Sequence, residues 1–288
     1  MLALDLGVFH RGGHVVKVRE AMLWSVAWIA MAAAFAVFVF FWHGRATALE
    51  FVTGYVIELS LSVDNLFVFL LIFRFFKVSS EHQHRVLFWG IIGALIMRTV
   101  FILVGVGLIS RFTWITYIFG LLLLFSGIKL FLQEESEIHP EKNPILKLVR
   151  KLVPVTEDYE GGKFFVRRPQ LYATPLFVVL MVVETTDVAF AVDSIPAVLA
   201  ITLNAFIVYT SNVFAIMGLR SMYFALAGLM EMFRYLHYGL SLVLSFIGVK
   251  MLIAHYYEIP THYALATVAG ILLLSMLASV IHPARKTA

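Results

Sequence analysis

Five carboxylates lie inside long apolar stretches of this sequence, where a charged side chain is costly. They are Glu58, Asp64, Glu184, Asp187 and Asp193. The same stretches hold four basic residues: Arg98, Lys129, Arg220 and Lys250. Each charge at the centre of a membrane helix costs about 2.5–3.5 kcal/mol, so such residues are expected to pair or to line a polar path. Two central arginines cannot neutralise five carboxylates, which leaves a negative surplus for protons or a bound cation.

The chemistry open to these carboxylates is the binding of a hard divalent ion. An amide or a hydroxyl follows the second acid of each pair, and oxygen ligands of this kind suit Mn²⁺, Mg²⁺ or Ca²⁺. The sequence has no cysteine, and its histidines lie in loops or at predicted helix ends, which argues against zinc or copper. We expect no cofactor besides the bound or transported ion. The predicted metal-site residues are Glu58, Asp64, Asn65, Glu184, Asp187, Asp193 and Ser194.

An internal repeat contains these residues twice. Residues 58–65 (ELSLSVDN) and 187–194 (DVAFAVDS) each have an acid, four residues, then Val-Asp and a small polar side chain. About one helix later each copy has an arginine, Arg98 in GALIMRTVFILVG and Arg220 in MGLRSMYFALAG. The matching spacing predicts two copies of one structural unit.

The repeat extends to a third helix and predicts an inverted architecture. FSGIKLFL around Lys129 matches FIGVKMLI around Lys250. The repeats, at about residues 51–132 and 171–256, each hold three predicted helices, an odd number, so the second copy crosses the membrane in the opposite direction. Transporters built from inverted repeats bind their substrate near the bilayer midplane, where the repeats meet.

Helix geometry limits which of these residues can meet. At about 100° per residue, Glu58 shares a helix face with Asn65, and Asp187 shares one with Ser194. The second acid of each repeat points about 120° away, so continuous helices do not gather all five carboxylates. Pro196 removes a backbone donor and is predicted to kink or break its helix, which would expose carbonyl oxygens to a cation.

Eight apolar stretches are long enough to cross a bilayer, since a helix needs roughly 20 apolar residues to do so. They are residues 21–42, 51–73, 86–109, 112–132, 171–200, 205–230, 240–256 and 263–281. Residues 1–9 are too short to span; we interpret them as the latter half of a helix containing Asp5, not as a signal peptide. With 61% hydrophobic and 14% charged residues, the chain is predicted to be an all-α polytopic membrane bundle, one domain over residues 1–288.

Lysine and arginine predict the orientation, because they are retained on the cytoplasmic side of short loops. They concentrate in alternate loops, which places the N-terminus outside and the C-terminus in the cytoplasm. The loop at residues 133–170 is then cytoplasmic, and its PILKLVRKLVPV segment fits either an amphipathic surface helix or a short solvated one. The basic residues form no single patch, so no nucleic-acid partner is expected.

The basic residues within the spans have two interpretations. Arg98 and Arg220 either neutralise carboxylates and lock helices together or take part in gating an ion site. Lys129 and Lys250 lie near helix ends, where a lysine can extend its ammonium group to the lipid headgroups. For the two lysines, the sequence favours this structural role over a part in the ion site.

Several motifs resemble the TerC family of bacterial integral membrane proteins, the tellurium-resistance C relatives, and within it the Alx-like branch. They are ALDLGVFHR, TGYVIELSLSVDNLFVF, TYIFGLLLLFSGIK, VETTDVAFAVDSIPAVLAIT and SNVFAIMGLRSMYF. The resemblance implies a transporter-like fold in a bacterial inner membrane, a role in metal homeostasis, notably manganese efflux, and ion-site roles for the seven residues above. Family members usually begin with a complete first helix, of which this sequence has the latter half.

The expected function is therefore transport of a divalent metal ion, with manganese efflux favoured and protons as the exchanged ion. Crowded carboxylates cannot all remain ionised, which motivates the proton exchange. The alternative is a non-transporting membrane partner that supplies metal to other proteins or scaffolds them. The motifs of intramembrane aspartyl proteases and of His-Glu-x-x-His metalloproteases are missing, so no enzyme is expected.

Overall fold

A computed structural model describes residues 18–132, 153–167, 170–227 and 235–281 of the chain. Within these ranges, eight helices are long and apolar enough to cross a membrane. They are α1 (Val18–His43), α2 (Arg45–Phe75), α3 (Ser80–Arg111), α4 (Ile115–Leu132), α5 (Pro175–Leu199), α6 (Ala205–Ala227), α7 (Leu236–Ile253) and α8 (Thr261–Ile281). The predicted all-α polytopic membrane bundle is confirmed. The N-terminal piece with Asp5 lies outside the described residues.

A single glycine separates α1 from α2. Gly44 has a φ of 87°, in the left-handed region that only glycine adopts at little cost, so the chain turns there without a loop. Aromatic rings then hold α1 against its neighbours: the Phe35 ring lies 5.1 Å from that of Phe51 on α2 and 4.8 Å from that of Phe214 on α6. The first span is therefore fixed to both repeats.

The start of α5 differs from the prediction. Phe165–Arg167 (β1) and Leu171–Ala173 (β2) form a two-stranded antiparallel sheet, so the fifth span begins at Pro175 and not at residue 171. Thr174 fixes this boundary, because its hydroxyl donates to the carbonyl of Lys163 at 2.7 Å. Proline is well suited to the first helical turn, where its missing N–H is not needed.

The predicted break at Pro196 is not present. Helix α5 continues through Pro196 to Leu199, and the N–H of Ala200 still donates to the Pro196 carbonyl at 2.9 Å. Pro196 lies in the last turn of the helix, so few hydrogen bonds depend on it. The carboxylates of α5 therefore lie on one continuous helix.

The helix contacts support the predicted relation between the repeats. Helix α2 packs on α6, α3 packs on α5, and α4 packs most extensively on α7. Exchanging the first repeat (α2, α3, α4) with the second (α5, α6, α7) leaves this set of contacts unchanged. The bundle therefore has an approximate two-fold relation between its halves.

The contact between α4 and α7 shows this relation at the level of single residues, first around Gly248 of α7. A Cβ atom added to Gly248 would lie 2.8 Å from the carbonyl oxygen of Gly120 and 2.7 Å from the backbone nitrogen of Leu124. Real Cβ atoms essentially never approach this close, and backbone atoms cannot move aside as a side chain can. Glycine at this position lets the two helix backbones touch.

The same contact occurs with the roles of the helices reversed. A Cβ atom at Gly127 would lie 2.8 Å from the carbonyl oxygen of Ser241 and 2.8 Å from the backbone nitrogen of Ser245. Each of these positions lies 121 residues from its counterpart in the contact around Gly248. The sequence match between FSGIKLFL and FIGVKMLI thus corresponds to equivalent positions in the fold.

The segment between α4 and α5 packs on the ends of the neighbouring helices. The Tyr159 hydroxyl donates to the Phe76 carbonyl at the end of α2, at 2.7 Å, and burial raises the pKa of this phenol. The Arg85 guanidinium of α3 lies 5.3 Å from the centre of the Phe164 ring. Most of the PILKLVRKLVPV stretch lies outside the described residues, so neither of its two interpretations is decided.

Candidate metal site

A buried charged cluster lies halfway along three helices. Asp187 is the middle residue of α5, and Glu58 and Arg98 lie within three residues of the middle of α2 and α3. Their relative exposures are 4%, 0% and 1%, respectively. Because these helices span the bilayer, the cluster lies near its midplane.

Arg98 joins the two carboxylates. Its Nη2 and Nε donate to Oδ1 and Oδ2 of Asp187 at 3.2 and 3.5 Å, and its Nη1 forms an ion pair with Glu58 Oε1. Nη1 also donates to Oδ1 of Asn212 on α6, at 3.3 Å. Glu58 and Asp187 are the first acids of the two repeats, so the structure brings equivalent residues of both repeats to a single arginine.

Glu184 adds a third carboxylate to this side of α5. It precedes Asp187 by one helical turn and is half-buried. Its carboxylate fills the space where a Cβ of residue 93 would be, which only the glycine at that position leaves open. Gly93 of α3 therefore makes room for Glu184 beside the Arg98 cluster.

Several buried polar atoms near these acids are unsatisfied. Among the described residues, Ser62 Oγ, Ser194 Oγ and Asn212 Nδ2 have no hydrogen-bond partner, and Glu58 has none beyond its ion pair with Arg98. Ser62 lies one turn after Glu58 on α2. Buried polar groups are normally hydrogen-bonded, so these unpaired atoms on the helices that carry the acids mark a place for a polar ligand.

Asp193 lies apart from this cluster. Its Oδ1 accepts a hydrogen bond from Ser126 Oγ of α4 at 2.8 Å, and the exposed Lys129 interacts with it electrostatically. This placement agrees with the helix geometry, which predicts that Asp193 points away from Asp187. Among the described side chains, no group of three His, Cys, Asp or Glu residues is arranged to hold a metal ion.

The remaining predicted ligands are partly placed. Asn65 on α2 and Ser194 on α5 are both buried. Asp64 lies on α2, but its side chain is outside the described part of the chain. Of the seven predicted ligands, Glu58 and Asp187 thus meet at Arg98, Asp193 bonds to Ser126, and Asn65 and Ser194 are buried without a described contact to the cluster.

Arg220 occupies the place in the second repeat that Arg98 has in the first, but its described contact is different. Its Nη2 lies 3.4 Å from Nδ1 of His84 on α3. His84 precedes Arg98 by 14 residues, which is about 21 Å along a helix. The described contact of Arg220 therefore lies nearer the N-terminal end of α3 than the Arg98 cluster does.

The two lysines also differ. Lys129 is exposed, as expected of a side chain that extends toward the headgroups. Lys250 is only 8% exposed, and its ammonium donates to the carbonyl of Ala200 at 2.7 Å, with Glu50 and Glu258 near enough to interact. Lys250 thus caps the end of α5, which corrects the expectation for that residue.

Sequence reasoning missed three residues of the cluster. Asn212 is a lone amide within an apolar span, Ser62 follows Glu58 by four residues, and Gly93 has no side chain at all. The helix spacing could have identified Ser62. Asn212 and Gly93 depend on which helices are neighbours, and the sequence pattern does not specify this.

These observations define a polytopic helical membrane protein with a charged centre shared by two inverted repeats. The integral membrane protein TerC family matches residues 43–287, and the chain belongs to this family.

Relatives match nearly the whole chain. The sequence is 49% identical over 282 residues to "Uncharacterized membrane protein STKORF319" of Myxococcus xanthus, covering 98% of this chain and 88% of the relative. It is 47% identical over 288 residues to "Putative membrane-bound redox modulator Alx" of Escherichia coli K12, covering 96% and 89%. No solved structure matches the chain significantly. The predicted family membership is confirmed.

Proposed function

We propose that this chain is a membrane transporter of divalent metal ions, with Mn²⁺ efflux favoured. The observation that carries the proposal is the pair of buried carboxylates, Glu58 and Asp187, that share one guanidinium halfway along three spanning helices. Intramembrane ionisable residues that face the interior of a bundle mark ion pathways in many transporters. No enzyme activity is proposed.

The charge balance supports a divalent cation as the substrate. Glu58 and Asp187 carry two negative charges against the single positive charge of Arg98, and Glu184 raises the surplus to two when all three acids are ionised. A divalent ion matches this surplus. The carboxylate, amide and hydroxyl oxygens that surround it are the ligands that Mn²⁺ and Mg²⁺ prefer.

Manganese and the outward direction are supported by the family resemblance. The resemblance of the sequence motifs to the Alx-like branch of the TerC family implies a role in manganese efflux. The loop charges predict that the C-terminus lies in the bacterial cytoplasm. In this orientation, efflux moves the ion from the face that carries the C-terminus to the opposite face. A reporter fused after Ala288 would test this orientation, and activity outside the cytoplasm would contradict it.

Exchange for protons follows from the same surplus. Without a metal ion, a buried site with excess negative charge is stabilised by protons on some of its carboxylates. Metal entry releases these protons, so the affinity for Mn²⁺ should rise with pH until the acids are fully ionised. A gradient with acid outside would then favour loading with metal inside and with protons outside.

A second candidate is a non-transporting metal-holding partner of other membrane or secreted proteins. Burial of Glu58 and Arg98 favours it, since neither side chain is open to solvent in this structure. A transporter in an occluded state has the same property. Flux of the ion across the membrane distinguishes the two candidates, whereas binding alone does not.

Calorimetry of the purified full-length protein with MnCl₂ tests the proposed site. We expect Glu58→Gln and Asp187→Asn each to weaken binding at least a hundredfold, because a neutral amide cannot replace a carboxylate on a divalent ion. Glu50→Gln is the matched control, since Glu50 is an acid at the start of the same helix α2, and its affinity should remain within twofold of wild type. Unchanged Mn²⁺ affinity in both site variants would contradict the assignment of Glu58 and Asp187 to the metal site.

A further inference from the structure

The Arg98 guanidinium divides its contacts among three helices. One edge of the group is fixed, because Nε and Nη2 both face the Asp187 carboxylate of α5. The remaining nitrogen, Nη1, is shared: it pairs with Glu58 of α2 and donates to Asn212 Oδ1 of α6 at 3.3 Å. Nη1, which carries two N–H groups, therefore has two acceptors, one charged and one neutral, and keeps the neutral one if the charged one is lost.

Of the two acids that Arg98 binds, Glu58 is the one that an incoming cation can bind in place of the arginine. Asp187 is bound by two nitrogens of Arg98, whereas Glu58 is bound by one nitrogen that has another acceptor beside it. The Glu58 oxygens and Ser62 Oγ have no other hydrogen-bond partner in the described part of the chain. A cation at Glu58 would satisfy these oxygens.

We infer that Arg98 is a tethered competitor of the metal ion, and that Asn212 holds Nη1 when the ion takes Glu58. This inference rests on the proposed function, since it requires an ion at Glu58. Asn212 acts as a positioning residue through Arg98. Its neutral oxygen binds a guanidinium more weakly than a carboxylate does, so Nη1 returns to Glu58 when the ion leaves. The competition keeps the ion from binding too tightly to be released.

The inference predicts opposite effects for two substitutions at one contact. Arg98→Gln removes the competitor, so Mn²⁺ should bind at least tenfold more tightly at alkaline pH, where protons do not replace the guanidinium on the acids. Asn212→Leu removes the alternative acceptor, so Nη1 stays on Glu58 and Mn²⁺ should bind at least tenfold more weakly. Asn212→Asp keeps an acceptor oxygen and should bind at least as tightly as wild type.

Calorimetry with MnCl₂ on the full-length variants in detergent measures these affinities. The double variant Arg98→Gln/Asn212→Leu should have the affinity of Arg98→Gln alone, because Asn212 acts only through Arg98. A general disturbance of packing would instead weaken binding in every variant. If size-exclusion chromatography shows that Arg98→Gln is not folded, the contrast between Asn212→Leu and Asn212→Asp decides the question.

The outcomes separate this inference from the function on which it rests. Weaker binding in folded Arg98→Gln, or equal binding in Asn212→Leu and wild type, overturns the competition while leaving a metal site in place. Absence of Mn²⁺ binding in wild type and in every variant overturns the proposed function and the inference together.

Discussion

The two arginines that occupy equivalent places in the repeats have different surroundings. Arg98 lies at the middle of the bundle and pairs with Glu58 and Asp187. Arg220 lies beside His84, which precedes Arg98 on α3 by 14 residues, about 21 Å along the helix. The contacts between α4 and α7, by contrast, are closely equivalent in both directions, as the approaches at Gly127 and Gly248 show.

The difference indicates which properties the repeats share and which they do not. Helix packing around the glycines follows the two-fold relation, because both copies must bring their backbones together in the same way. The described contacts of the arginines do not follow it: Arg98 receives the first acid of both copies, whereas Arg220 lies beside His84. Among the described contacts, the first acids of both copies therefore meet at one arginine.

The largest effect is expected when Asp187 and Asp193, two of the three acids of α5, are substituted one at a time. Asp187→Asn should abolish the protection of cells from excess manganese, because Asp187 faces Arg98 at the centre. Asp193→Asn should retain part of it, because Asp193 is bonded to Ser126 away from this cluster. Growth of a manganese-sensitive strain in graded MnCl₂, with expression checked by immunoblot, measures the contrast. Equal loss in both variants would show that Asp193 belongs to the ion path despite its position.

The next largest effect is expected on the free energy of unfolding, when Arg98 is substituted and no metal ion is bound. Arg98→Gln should lower the free energy of unfolding by about 3–5 kcal/mol, since it leaves buried carboxylates without their partner. Added MnCl₂ should restore much of this loss by binding those carboxylates. Arg220→Gln should leave the affinity for Mn²⁺ within twofold of wild type, because its contact with His84 lies about 21 Å from Arg98 along α3. Thermal unfolding and calorimetry in detergent check both statements, and a large affinity change in Arg220→Gln would contradict the separation of the two arginines.

A smaller effect is expected at the contact of α4 with α7. Gly248→Ala and Gly127→Ala should each destabilise the protein by about 1–3 kcal/mol, because the added methyl group meets backbone atoms that cannot move aside. Gly270→Ala is the matched control: it lies within α8 with nothing within 4 Å of an added Cβ, and it should be neutral or slightly stabilising. Thermal unfolding of the three variants measures the difference. A neutral Gly248→Ala would contradict the close backbone contact.

Much of this account could be predicted from the sequence. Long apolar runs gave the eight spans, because the bilayer thickness fixes helix length. The repeated spacing identified Glu58, Asp187 and Arg98, and the 100° rotation per residue placed Asp193 on another face. Each of these is a property of one helix or of one repeat.

What the sequence could not supply depends on contacts between helices. Asn212 reaches Arg98 only because α6 lies beside α3, and Lys250 caps α5 only because α7 lies beside its end. A periodic pattern shows which face a residue occupies but not which neighbour that face meets. Pro196 was overvalued for a related reason, since its effect depends on how close it lies to the end of the helix.

Transport of manganese by everted membrane vesicles tests the central claim most directly. Vesicles containing the wild-type protein should accumulate radioactive Mn²⁺, faster when their lumen is acidic, and vesicles with Asp187→Asn should not. Such uptake would show that the charged centre moves the ion and exchanges it for protons. Binding of Mn²⁺ by the purified protein, with no accumulation above protein-free vesicles under any gradient, would contradict transport and support the metal-holding alternative.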